Sequence, residues 1–130
     1  MVGFPQAHCR VVACQSLEDD AYVLLDTGSS GQPYLYGSTC YRRGGQWFEA
    51  GSGNGPGWMP TSDDPDLGTL SFWDEAPTGV DMVRVEFDGT ICEGPVRHGV
   101  YLLIWWRVPQ PTQWPRIVAS HEDGIWKPEF

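Results

Sequence analysis

Lysine is nearly missing from this chain. Lys127 is the single lysine in 130 residues, which leaves seven arginines among the eight basic side chains, set against 17 carboxylates for a formal net charge of −9. A duplex-binding surface needs clustered cations to displace counterions from phosphates. The only adjacent basic pair, Arg42-Arg43, runs into a Gly-Gly turn, so nucleic acid is excluded as a partner. Long apolar runs are absent too. Nothing approaches the ~18 residues a membrane-spanning helix needs, and net negative charge repels anionic lipid, so no membrane is expected. The opening M-V-G-F-P-Q-A-H-C-R has neither a charged n-region nor an apolar h-region, and the expected compartment is the cytoplasm.

Also lacking are C-x-x-C and the paired Cys/His spacing of structural zinc; no cofactor is expected. Cys9, Cys14, Cys40 and Cys92 allow three pairings and favour none. On one extended strand, Cys9 and Cys14 would lie about 17 Å apart on opposite faces, beyond the reach of a bridge. Buried free thiols are the expectation. His8, His98 and His121 are scattered, with no recognisable nucleophile elbow among them.

What is present is core-forming material: 41% hydrophobic and 13% aromatic residues, with seven Trp, in a length that buries roughly 68% of the unfolded surface as one domain, residues 1–130. Helical periodicity is almost absent, and short apolar or alternating runs recur between Gly, Pro, Asp and Ser clusters. Strands are predicted at His8 to Cys14, Tyr22 to Asp26, Tyr34 to Arg42, Gln46 to Ala50, Thr69 to Trp73, Met82 to Phe87, Thr90 to Val96, Val100 to Arg107 and Pro115 to Ser120, with a short last one near Trp126. Arg43-Gly44-Gly45, Asp88-Gly89 and Arg97-His98-Gly99 carry hairpin chemistry. Val83 to Phe87 alternates, as a strand with one wet face does; Val100 to Trp106 is apolar throughout, as a strand covered on both faces is. The predicted fold is an all-β antiparallel sandwich or sandwich-like barrel of eight to ten strands.

Tyr22 to Ser30, Y-V-L-L-D-T-G-S-S, resembles the active-site strand and loop of the aspartic proteases. That resemblance implies a two-fold homodimer in which Asp26 shares a proton with its symmetry mate. It covers nine residues. After Ser30, Gly31-Gln32-Pro33 replaces the family's next strand, and no later aliphatic-aliphatic-Gly segment follows. A turn ending an apolar strand accounts for the same residues. A longer stretch, with C-Y-R-R-G-G-Q-W-F-E, G-S-G-N-G-P-G-W and the hairpin V-R-V-E-F-D-G…P-V-R-H-G-V-Y-L, resembles small uncharacterised all-β proteins of high-GC bacteria. The arginine bias fits such a gene, and the resemblance implies a β-sandwich without naming an activity.

Gly51 to Gly68 reads as the one long irregular segment, and long loops in compact domains are often functional. It carries Trp58 and the acidic cluster Asp63, Asp64 and Asp66. Clustered carboxylates suit Ca²⁺, but the spacing misses the EF-hand pattern and Pro65 interrupts it, so a solvated acidic loop is expected. Trp47, Trp73 and one of Trp105/Trp106 are assigned to the core. Trp58 and Trp114, in Pro/Gly-rich segments, are either end plugs of the sandwich or exposed anchors. The functional expectation is a non-enzymatic binding or interaction module using the 51–68 loop with Trp58, Asp63, Asp64 and Asp66, extended by Trp114, for a protein partner that the acidity suggests is basic. The alternatives are the homodimeric protease and a sugar-binding module.

Overall fold

A computed structural model describes residues 10–28, 34–61 and 63–128. Eleven strands follow one another: β1 (Arg10–Leu17), β2 (Asp20–Asp26), β3 (Leu35–Arg43), β4 (Gln46–Gly53), β5 (Gly57–Pro60), β6 (Gly68–Glu75), β7 (Val80–Phe87), β8 (Thr90–Arg97), β9 (Val100–Val108), β10 (Arg116–Glu122) and β11 (Ile125–Pro128). The class is all-β and sandwich-like as expected, with one more strand than the upper bound. One antiparallel sheet has the order β1-β2-β3-β4; the other runs β11-β10-β7-β8-β9-β6-β5, and neither closes into a barrel. No helix among the described residues is long and apolar enough to cross a membrane.

The hairpins obey the turn chemistry. Gly44 and Gly45, Asp88 and Gly89, and His98 and Gly99 all take positive φ, the two-residue geometry that matches the right-handed twist of the flanking strands. Asp123-Gly124 does the same between β10 and β11. The β1–β2 joint was not predicted. Its Glu18 enters the left-handed region at φ 55, where Glu carries no turn signature.

The contacts gather into two compact units, one up to Ser71 with Ile104–Gln110, the other Phe72–Leu103 with the residues from Pro111 on. In the first, β2 is central in its sheet and buries Ala21, Tyr22, Leu24 and Leu25, so both of its faces are covered. Ser38, Leu70 and Ser71 are buried with them. In the second, the alternation of β7 puts Val83 and Val85 fully inside while Arg84 and Glu86 stay half-exposed. Val100 through Leu103 are buried at four successive positions, as an all-apolar run requires.

Two core assignments change. Trp73 is buried, but Trp47 is 48% exposed. It lies on β4, an edge strand whose first five residues are all exposed, and the Arg42 guanidinium sits over its ring at 5.5 Å. Trp105 and Trp106 are both half-buried. Cys14, Cys40 and Cys92 are free, as expected, but not buried: Cys14 is exposed, and Cys40 and Cys92 are half-buried. His8 and Cys9, like Ser29 to Pro33, lie outside the described residues.

Candidate functional site

Most of the segment expected to be a loop has strand order. β4 runs on to Gly53, Asn54 to Pro56 turn the chain, and β5 pairs with β6 from Gly57↔Ser71 to Pro60↔Gly68. Besides that short turn, Thr61 to Leu67 remains irregular among the described residues, and it is closed on itself. Thr61 N donates to Leu67 O (2.8 Å), the Thr61 hydroxyl donates to Asp64 O (2.8 Å), and Asp66 N donates to Asp64 Oδ1 (2.9 Å).

Within the first unit this segment borders a cleft of about 250 Å³. Its floor runs from the end of β4 through the turn to the start of β5, where Gly51, Gly53, Gly55 and Gly57 recur at every second position; Tyr22, Gly37, Thr39, Ser52, Pro56, Trp58, Met59 and Ser71 complete the lining. The glycines have separate tasks. A β-carbon at Gly51 would occupy the place of the Met59 methyl, and one at Gly68 would strike both the Met59 carbonyl and the Trp58 ring. At Gly53, Gly55 and Gly57 it would meet nothing within 4 Å. Gly53 stands opposite Gly37 in the β3–β4 ladder, so both point to one face, and it is Tyr22 that occupies the space a Gly37 side chain would need.

Trp58 is held on two sides. Its ring packs on Gly68, and its indole Nε1 donates to the Val108 carbonyl at 2.9 Å. The one polar atom of the side chain is thus engaged, and what the indole offers the cleft is carbon surface. The lining has no charged side chain.

A second cleft in the same unit, about 420 Å³, is lined mainly by charged side chains, with Tyr41 beside them. Glu18, Asp19 and Asp20 from the β1–β2 hairpin, Arg42 and Arg43 beside the Gly44-Gly45 turn, Asp63 and Arg107 line it. Arg107, in left-handed backbone at φ 53, donates from Nη1 to both Asp63 oxygens at 3.3 and 3.4 Å; Arg42 donates to Asp19 Oδ1 at 3.0 and 3.1 Å. Burial raises the Asp20 carboxyl; Arg107 opposes that, and Asp63, Asp19 and Glu18 reinforce it. Asp63 is lowered, first by the Thr61 hydroxyl and also by Arg107. Arg42 and Arg107 have carboxylate partners and Arg43 lies over the Tyr41 ring at 5.4 Å, so the cleft's positive charge is largely engaged.

The predicted site residues therefore separate. Trp58 lines the uncharged cleft and Asp63 the charged one. Asp64 and Asp66 serve the loop's own hydrogen bonds, and among the described residues no three His, Cys, Asp or Glu side chains form a metal-holding group. Trp114 belongs to the second unit, 53% exposed in the β9–β10 connection. Sequence reasoning missed Arg107 and Asp20, because Arg107 and Asp63 are 44 residues apart and no local pattern announces their meeting.

Asp26 closes a loop. Its Oδ1 accepts from Gly28 N (2.9 Å) and Tyr34 N (3.0 Å), and Arg10 Nη2 lies 3.4 Å from Oδ2. Burial pushes the carboxyl up, but those two amides and Arg10 outweigh it and hold it below the usual range. A carboxylate kept as an anion by local donors is poorly suited to sharing a proton. Cys40 is pushed up by burial, with Ser38 opposing and Glu49 adding to it, and a protonated thiol is a weak nucleophile. In the second unit His121 meets Asp81 at 2.6 Å and lies tilted against the Trp126 ring, which Arg84 covers at 3.7 Å.

Comparison with protein-family models, with curated proteins and with solved structures gave no match. The functional reading rests on this geometry.

Proposed function

We propose that the chain is a non-enzymatic binding module that holds its ligand in the cleft bordered by the 51–68 segment, against Trp58. The observation that carries this is the fixed indole. A rigid aromatic side chain whose only polar atom is already bonded, set beside a cleft floored by bare backbone, gives contact area at little cost in conformational entropy. The polar side chains of the cleft are hydroxyls; the carboxylate, imidazole and thiol groups on which acid–base or nucleophilic steps depend lie elsewhere. The role expected of Asp63, Asp64 and Asp66 narrows accordingly, since they are committed to Arg107 and to their own loop.

The test is a fragment screen on the full chain, read at the tryptophan indole N–H resonances, with Trp58 assigned through Trp58→Phe. Members that bind in the cleft should move the Trp58 signal and leave that of Trp114 in place. A screen in which Trp58 never responds, or in which every indole shifts alike, overturns the reading.

A further inference from the structure

Resting on that reading, we infer that the ligand is a neutral, hydroxylated ring of the size of one pyranose unit. Charge narrows the class first. Charged residues make up 19% of the chain, yet none lines this cleft, so a ligand carrying charge would lose hydration there without a counter-charge to replace it. Size narrows it again. The cleft holds about 250 Å³, below the ~300–1,000 Å³ typical of pockets for drug-sized molecules, which is room for a single ring.

Surface chemistry then selects among neutral rings. One part of the lining is carbon and sulfur, from the Trp58 indole and Met59; another is polar, from the hydroxyls of Thr39 and Ser71, whereas Ser52, between Gly51 and Gly53 on β4, turns its hydroxyl to the opposite face. Ser71 already bonds the Gly57 backbone at 3.2 and 3.3 Å. The Ser71 hydroxyl is thereby oriented and keeps a lone pair for another bond. A purely aromatic ligand would cover those groups without replacing their water, at a cost. A sugar ring has a C–H face for the indole and a rim of hydroxyls for the rest.

Gly53 supplies the control. Its missing side chain points to the Tyr22 face, where a β-carbon meets nothing within 4 Å, and its φ lies outside the left-handed region, so Gly53→Val sends a branched side chain into the cleft from a position with room for its first carbon. The experiment titrates the full chain with the methyl glycosides of glucose, galactose, mannose and N-acetylglucosamine, with the charged analogues glucuronate and glucosamine, and with phenol as the apolar ring. At least one neutral glycoside should shift the Trp58 indole resonance saturably, bind about tenfold more tightly than the charged analogues, and lose about tenfold in affinity in Gly53→Val. If phenol moves Trp58 and no glycoside does, the sugar class is wrong while the binding site stands. If nothing moves Trp58, or if Gly53→Val binds as the parent does, site and sugar fall together.

Discussion

Asp26 shows how one side chain can carry an enzyme's signature and a turn's job. Its Oδ1 gathers two backbone amides, and the Thr27 N–H bonds the Tyr34 carbonyl beside them at 2.9 Å, so the connection between β2 and β3 is tied at its base. Asp26→Ala leaves both amides without an acceptor and should cost about 1–2 kcal/mol. Asp26→Asn keeps a carbonyl oxygen at the same place and should cost less than half as much. Urea unfolding of both variants measures the difference; equal losses would place the stabilisation in the charge and its Arg10 partner. Because the folded carboxyl is held below its ordinary value, its contribution is complete above the unfolded pKa and lost on acidification through the folded one.

At the level of elements, what was legible followed from periodicity and turn residues. The alternation in Val83–Phe87, the unbroken apolar run of β9 and the Gly44-Gly45, Asp88-Gly89 and His98-Gly99 turns all convert directly into strand and hairpin. β5 was illegible because G-P-G-W-M-P looks like a loop by every propensity, and it is a strand because β6 offers it a ladder and Gly68 offers Trp58 a flat seat. The exposure of Trp47 was equally hidden, since nothing local tells an edge strand from a central one. Trp58 could be singled out, whereas its fixing bond to Val108, 50 residues away, could not. The seat itself can be tested. Gly68→Ala drives a methyl into the Met59 carbonyl and the Trp58 ring, backbone and a pinned side chain, and should cost about 2–3 kcal/mol; Gly51→Ala meets only the movable end of Met59 and should cost about 1 kcal/mol or less. Chemical denaturation of the two variants should give that order, and the reverse order would show that Trp58 is not pinned.

For the molecule as a whole, alkaline stability has a built-in limit. Tyr101 is buried, packs against Phe72 at 5.9 Å between ring centroids, and has its phenol pushed from 10.0 up to about 12 by burial and by Asp74. In the unfolded chain the phenol ionises near its ordinary value, so the neutral folded form contributes fully below pH 10 and that contribution is lost as the pH rises toward 12. Tyr101→Phe cannot ionise. Thermal melts between pH 9 and 12 should fall less steeply in that variant than in the parent, and parallel curves would remove Tyr101 as the cause.

The chain order of the first unit bears on how the protein is made. Trp58 leaves the ribosome before the carbonyl that fixes its indole, which belongs to Val108, and the strands that carry the two are separated by residues of the second unit. At about 5–20 residues per second, several seconds of synthesis separate the tryptophan from its anchor. Until Val108 emerges, the nascent chain presents an apolar ring whose anchoring carbonyl does not yet exist, a window in which a chaperone would find the indole unpinned.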